Sequence, residues 1–200
     1  MTSVMKLLSF SNDGTDIQRL TSIVTRLTLC LLCGFLLSCE VPTEIYDNPL
    51  DEEAAGEAGI ETPALVFFPD SVGVNAGSSV SLQIFALEVA DVGGAHIQVA
   101  YDKNKVSLSS VTVGDFFNTT SEPVFIYEDN PDDGFVDIYS SFLGQDSVTV
   151  SGTGNLAYLV FSTTTPGQST LTYTAECELV DAEDNPVLLN GFGEGVINAQ

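Results

Sequence analysis

From Ala64 onward, apolar and polar residues alternate with a period of two, and turn residues separate the runs. Val80, Leu82 and Ile84, for example, alternate with serine and glutamine, which is typical of a β-strand that buries one face. The pattern predicts nine strands, at 64–68, 79–89, 95–101, 106–113, 124–128, 135–143, 155–164, 169–179 and 193–198. No run in this region has a helical stripe, so we predict an all-β, two-sheet β-sandwich.

The residues that precede this region have a different character. Residues 40–63 are acidic, are interrupted by Pro42, Pro49 and Pro63, and lack a sustained apolar period. This composition predicts that residues 39–63 form a flexible, self-repelling tether. A short helix around 51–58 is compatible with the sequence, but nothing obvious is available for it to pack on.

The N-terminal segment divides into the zones of an export signal. Sparse basic residues precede an eleven-residue apolar run, 27–37. At about 1.5 Å per residue, this run is too short to cross a bilayer core of roughly 30 Å. It ends in Leu36-Leu37-Ser38-Cys39, which resembles the lipobox of bacterial lipoproteins. We therefore expect a cleaved signal peptide over 1–38, with translation starting at Met1 or Met5.

Cys39 is the predicted lipidation site. Its thiol would take a diacylglyceryl group through a thioether, and the small Ser38 suits cleavage at that bond. Two or three acyl chains of the palmitate type, at about 0.8 kcal/mol per buried CH₂, make a stable membrane anchor. The alternatives are a transmembrane anchor, or a secretory signal with a chance cysteine. Glu40 is not the aspartate that commonly signals inner-membrane retention, so we expect an exported domain, anchored to the outer membrane and facing the periplasm or the exterior.

The mature chain is strongly acidic. Lys103 and Lys105 are the only basic residues after Cys39, against 26 acidic ones, so the formal charge is −24. Such a surface repels phosphates and argues against nucleic-acid binding. It suits a cationic or calcium-loaded partner, or simply solubility in a salty medium.

Few residues in the mature chain are candidates for catalysis or metal binding. Cys177 is the only cysteine besides the predicted lipidation site Cys39, so no intrachain disulfide is expected. It stands at an apolar position of an alternating strand, which favours a buried side chain. His96 is the single histidine and is expected at the surface or in a hydrogen bond. The oxygen-rich run 128–133 lacks EF-hand spacing, so a turn is favoured over a calcium site. We predict no catalytic residue, metal or cofactor in this chain, with Ca²⁺ at most in its partner.

The order of motifs over residues 64–199 resembles the cohesin domain family. The matching motifs are a glycine-containing turn (75–78), a glycine-led strand ending in Tyr-Asp (94–102), a V-x-x-x-x-V-x-x-G element (106–114), an apolar strand ending in Phe (154–161), Pro-Gly (166–167), a D-x-x-x-N turn (181–185) and a final Gly-Val-Ile strand (195–197). The resemblance implies a non-catalytic, nine-stranded jelly-roll, similar in architecture to carbohydrate-binding modules. In the family, one sheet face binds the calcium-loaded dockerin module of another protein. This chain has one such domain and no visible dockerin or catalytic module, which puts a scaffold role in doubt.

By analogy with the family, strands 95–101, 124–128 and 135–143 lie on the binding sheet. Alternation points Gln98, Asp137 and Tyr139 outward. In 124–128, Val124 and Ile126 suit the core, so Phe125 and Tyr127 are expected outward. The predicted partner-binding residues are Gln98, Tyr127, Asp137 and Tyr139. The alternative is that the two tyrosines merely pack on a neighbouring strand or on the tether.

The sequence therefore predicts a surface-anchored lipoprotein that binds a dockerin-like protein module or a polysaccharide, in polysaccharide degradation or cell-surface assembly. A second hypothesis is a structural or adhesive envelope lipoprotein whose sandwich serves only as a spacer. A hydrolase would need two converging carboxylates in a cleft. An exposed aromatic row on a flat sheet would favour binding, whereas a uniformly acidic face would favour the spacer.

Overall fold

The strands that alternation predicts pair into two sheets that enclose one apolar core. The computed structural model describes Asn48 and residues 51–143 and 148–200, which belong to one compact unit, Glu44–Gln200. The predicted signal peptide, Cys39 and residues 40–47 of the predicted tether lie outside the described residues. Among the described residues, no helix is long and apolar enough to span a membrane.

The described elements are one short helix and thirteen strands. In chain order they are α1 (Glu52–Glu57), β1 (Ala64–Phe68), β2 (Ser71–Val74), β3 (Ser79–Val92), β4 (Gly94–Ala100), β5 (Val106–Val113), β6 (Pro123–Asn130), β7 (Phe135–Phe142), β8 (Val150–Thr163), β9 (Gly167–Tyr173), β10 (Glu178–Val180), β11 (Pro186–Val187), β12 (Gly191–Phe192) and β13 (Gly195–Ala199).

Two sheets form the sandwich. The five-stranded sheet has the order β12-β1-β3-β8-β5. The eight-stranded sheet has the order β11-β10-β4-β9-β13-β2, and β7 pairs with β4 and carries β6 on its other side. Neighbouring strands are antiparallel except for the β1–β12 and β13–β2 pairs. The all-β sandwich prediction is confirmed.

Each of the nine predicted strands is present, and one of them is divided. The predicted strand 169–179 breaks into β9 and β10, which both pair with β4. The break is local, because the Thr174 hydroxyl accepts a hydrogen bond from the Glu176 amide and Cys177 N donates to Thr174 O. The short strands β2, β11 and β12 have too few residues to show a period of two and were not predicted.

The core lies between the inner faces of the two sheets. The five-stranded sheet contributes alternate residues of its long central strands, and the eight-stranded sheet contributes those of β4, β7 and β9. The fully buried members include Leu82, Ile84, Leu159, Phe161, Ile97, Val99, Val136, Ile138, Leu171 and Ile197. Phe67 and Tyr173 also stack across the sandwich with ring centroids 4.5 Å apart. Because every second residue of a strand points into the core, the residues between them point outward and form the outer faces of the two sheets.

The segment that precedes β1 is part of the domain. Asp51 caps α1, Ala54 and Ala55 are buried, and Ala55 packs in a small cluster with Ala64, Val66 and Leu87. The tether predicted over 39–63 therefore does not extend through residues 51–60. Alanine side chains are short enough for the helix to lie directly on β1 and β3, so the contact needs no apolar stripe that the sequence would reveal.

Replacing Asp51 with alanine tests this packing. The Asp51 carboxylate accepts a hydrogen bond from Ala54 N at 3.0 Å, which satisfies one otherwise unpaired amide of the first turn. We expect Asp51→Ala to lower the free energy of unfolding by about 1 kcal/mol. Asp51→Asn keeps an acceptor and is the control. Urea denaturation followed by circular dichroism would measure both, and equal stability of the alanine variant would show that α1 contributes nothing.

Candidate functional site

The outer face of β10, β4, β7 and β6 carries most of the predicted binding residues. In the β4–β7 pair, His96 lies opposite Tyr139 and Gln98 lies opposite Asp137. Directly paired residues point to the same side of a sheet. Because Ile97 and Val99 are fully buried, these four side chains point away from the core, as alternation predicted for β4 and β7. We call this surface the β4–β7 face.

A hydrogen-bond network fixes the polar side chains of the β4–β7 face. Asp137 Oδ1 lies 2.8 Å from His96 Nε2 and accepts a second bond from Gln98 Nε2 at 2.9 Å. The side-chain oxygen of Gln98, Oε1, accepts a bond from the Thr174 hydroxyl at 2.8 Å. One carboxylate therefore orients an imidazole and an amide at once, so their order is established before any partner arrives.

The network also supports an exposed aromatic ring. His96 and Tyr139 are stacked, with centroids 4.5 Å apart and planes within 9°. Tyr139 remains 44% exposed, so one side of its ring faces solvent. Partial desolvation and the negative charges of Asp137 and Glu128 raise the pKa of Tyr139, which keeps its phenol protonated. The result is a flat apolar platform beside fixed acceptors.

An open depression of about 320 Å³ adjoins this platform. Its lining comes from β4, β6, β7 and β10, namely Gly94, Ala95, His96, Val124, Tyr139, Ser140, Ser141, Glu178 and Val180. Glu178 lies opposite His96 across the β10–β4 pair, and Glu128 lies opposite Asp137 across the β6–β7 pair. The face can therefore receive an apolar or cationic side chain next to Tyr139.

The predicted orientation of Tyr127 is wrong. In the β6–β7 pair, Tyr127 lies opposite the buried Ile138, whereas Ile126 lies opposite Tyr139. Tyr127 is thus on the core side of β6 and is exposed at the edge of the sheet, while Phe125 packs partly against the core. Because both parities of 124–127 are apolar, alternation cannot decide which one faces inward.

Two contributors to the β4–β7 face were missed from the sequence. Ile126 was assigned to the core but is 59% exposed on the β4–β7 face. His96 was expected in a hydrogen bond, which is confirmed, but its stacking on Tyr139 was not foreseen. The sequence indicated that His96 lies on the same side of β4 as Gln98, because the two are two residues apart. Its stacking partner Tyr139 could be identified only from the register of the β4–β7 pair.

Cys177 and the acidic turn have the structural roles that were expected. Cys177 is partly buried against the core, and burial raises the pKa of its thiol, which makes it a poor nucleophile. The run 131–134 forms the turn between β6 and β7, in which Gly134 N donates to Asn130 O at 2.9 Å. Within 51–143 and 148–200, no three histidine, cysteine or acidic side chains converge as a metal site would require.

The sandwich and its pre-ordered open face together define a β-sandwich binding module. The family model of the cohesin domain matches residues 65–191. The chain therefore belongs to the cohesin family, whose domains are non-catalytic binding modules. No curated protein matches the chain in sequence.

Solved cohesin structures share this fold at low sequence identity. A non-cellulosomal cohesin from the archaeon Archaeoglobus fulgidus has a TM-score of 0.56 and 20% identity, over 68% of this chain and 90% of that one. A type II cohesin from the cellulosome of Acetivibrio cellulolyticus has a TM-score of 0.59 and 14% identity, over 69% and 96%. A type I cohesin–dockerin complex from Clostridium thermocellum has a TM-score of 0.56 and 14% identity, over 68% and 92%. These similarities support the fold alone.

Proposed function

We propose that this protein is a lipid-anchored module of the cell surface that binds a dockerin-type protein without catalysis. The observation that carries the proposal is the β4–β7 face, where Asp137 holds His96 and Gln98 in place beside the exposed Tyr139 ring. The Clostridium thermocellum relative is a complex of a cohesin with a dockerin, which makes a dockerin the first partner to test.

The composition of the β4–β7 face favours a protein over a polysaccharide. Tyrosine is enriched at the centres of protein interfaces, and the exposed Ile126 adds apolar area beside Tyr139. This face also carries the carboxylates of Asp137, Glu128 and Glu178, which suit a cationic or calcium-loaded protein better than a neutral sugar chain. A face built from a ring, an aliphatic side chain and ordered acceptors is also unlike the uniformly acidic surface expected of a spacer.

A pull-down tests the proposed partner. Acyl-free chain, made as Cys39→Ser from residue 39, would be immobilised and exposed to secreted proteins of its own cell with calcium or with a chelator. We expect calcium-dependent capture of a dockerin-bearing protein, such as a polysaccharide-degrading enzyme, and its release by an excess of the isolated dockerin. Failure to capture any calcium-dependent partner would contradict the proposal and favour the spacer role.

The anchor is the second part of the proposal and is tested separately. Cys39 lies at the end of a lipobox-like sequence, and the acyl chains would hold the domain at the envelope. We expect wild-type protein to incorporate labelled palmitate and to sediment with the outer-membrane fraction. Cys39→Ser should lose the label and become soluble, whereas Cys177→Ser should behave like the wild type. Unchanged labelling of Cys39→Ser would overturn the assignment.

A further inference from the structure

Part of the outer face of the five-stranded sheet is free of charged residues. Its strands β3, β8 and β5 pair in antiparallel fashion, with one register shift between Leu108 and Ser110 of β5, and their paired residues form three cross-strand rows. The rows are Ser79–Ser162–Ser107, Ser81–Val160–Ser110 and Gln83–Tyr158–Thr112. None of these nine residues carries a charge, and seven of them bear a hydroxyl group. We call this surface the hydroxyl face.

The nine residues of the hydroxyl face are uncharged, whereas the charged residues of β3, Glu88 and Asp91, lie farther along that strand. The β4–β7 face carries Asp137, Glu128 and Glu178, and the mature chain has 26 acidic residues in total. A high net charge keeps a protein soluble and repels other anionic surfaces. The hydroxyl face lacks such groups, so an uncharged partner can approach there without displacing counterions or desolvating a carboxylate.

Hydrogen bonds fix several polar groups of the hydroxyl face in advance. The Ser162 hydroxyl lies 2.7 Å from the Ser109 hydroxyl and 3.3 Å from that of Ser79. The side-chain oxygen of Gln83, Oε1, accepts a bond from Nδ2 of the buried Asn155 at 2.7 Å. Side chains that are already ordered lose less conformational entropy when a ligand binds.

A protein partner does not fit the composition of this surface. Serine is depleted in protein interfaces, and interface energy comes mainly from buried aromatic, arginine and aliphatic anchors. The hydroxyl face offers one exposed ring, Tyr158 at 38% exposure, and one half-buried aliphatic side chain, Val160. A charged polymer fits no better, because none of the nine residues could neutralise it.

The same features fit a chain of neutral sugars. Sugar hydroxyls can exchange hydrogen bonds with ordered serine, threonine and glutamine groups. The C–H face of a sugar ring packs on the electron-rich face of an aromatic side chain, for which Tyr158 is placed between Gln83 and Thr112. The surface is a sheet rather than a closed cavity, so an extended polymer suits it better than a single sugar.

We propose that the hydroxyl face binds a neutral polysaccharide, with one sugar ring on Tyr158 and neighbouring sugars across β3, β8 and β5. This site lies on the opposite sheet from the β4–β7 face and does not depend on dockerin binding. Both ligands could therefore be held by one domain, with a protein partner on one side and a glycan on the other.

Affinity electrophoresis of the acyl-free Cys39→Ser chain tests the proposal. The gels would contain mixed-linkage β-glucan, xylan, galactomannan or starch as neutral polymers, and alginate as an anionic one. We expect retardation by at least one neutral polymer and none by alginate. Tyr158→Ala should weaken that retardation by about tenfold, the equivalent of one stacked ring. Gln83→Glu, which keeps the shape and adds a charge, should also weaken it.

Tyr139→Ala is the matched control, since it removes an exposed tyrosine from the opposite face. It should leave glycan retardation unchanged while reducing dockerin binding, so the two proposals can fail separately. Thermal unfolding of each variant would verify that it is folded. The proposal is overturned if none of the four neutral polymers retards the chain, if alginate retards it equally, or if folded Tyr158→Ala is retarded like the parent.

Discussion

Replacing Phe161 with alanine is expected to lower the free energy of unfolding by about 3–5 kcal/mol. Phe161 is fully buried in β8, the strand that lies between β3 and β5. It pairs with Val80 and Leu108 in register, and its ring meets that of Tyr101 edge-on, with centroids 5.4 Å apart. Truncation would leave a cavity at the contact between the two sheets, where strand pairing holds Val80 and Leu108 in place and limits their collapse into it.

The size of this effect is large against the stability of a domain, which is typically about 5–15 kcal/mol. Urea denaturation followed by circular dichroism and tyrosine fluorescence would measure it. Tyr158→Ala is the control on the same strand, because Tyr158 points outward and its loss should cost less than about 1 kcal/mol. Equal losses would contradict the difference in burial, and a larger loss for Tyr158→Ala would mean that the inward and outward parities of β8 are reversed.

Replacing Tyr139 with alanine is expected to weaken binding of the captured dockerin at least about 30-fold, the equivalent of a hot-spot loss of 2 kcal/mol. The ring is the largest exposed apolar group in the middle of the β4–β7 face, and its stacking on His96 fixes its orientation. A partner that covers the Tyr139 ring gains apolar contact area, and little conformational entropy is lost because the ring is already ordered. Because the tyrosine is exposed, its removal should leave the fold intact.

Isothermal titration with the isolated dockerin would measure this loss, with two further variants for comparison. Asp137→Ala removes the acceptor shared by His96 and Gln98 and should also weaken binding. Tyr127→Ala removes an equally exposed tyrosine from the same sheet, but from the core side of its edge strand, and should change the affinity little. If Tyr127→Ala abolished binding and Tyr139→Ala did not, the partner would dock on the edge formed by β6.

Tyr139 and Tyr127 show where the alternation of polar and apolar residues can predict the orientation of a side chain and where it cannot. In β4, polar His96 and Gln98 alternate with Ile97 and Val99, so the inward parity could be predicted correctly. In β6, the run Val124 to Tyr127 is apolar at every position, and only pairing with β7 decides which side is buried. An edge strand buries little of either face, so its sequence need not alternate between apolar and polar residues.

Helix α1 illustrates a second reason for a wrong prediction. Alanine and glutamate in an acidic, proline-interrupted segment have the composition of a tether. Burial of Ala55 depends on the surface offered by Ala64, Val66 and Leu87, which exists only after β1 and β3 have paired. A helix this short has little stability of its own and forms because it has something to pack on.

The fold class, the strong negative charge and the predictions that rest on Cys39 follow from the sequence alone, because alternation, composition and short motifs are local properties. The sequence also placed Gln98, Asp137 and Tyr139 on outward positions of their strands. The meeting of residues some forty positions apart, such as His96, Asp137 and Tyr139, is visible only in the folded chain. Strand register likewise gathers uncharged residues of β3, β8 and β5 onto one face. Register is a non-local property, set by how the whole sandwich packs, and no single strand encodes it.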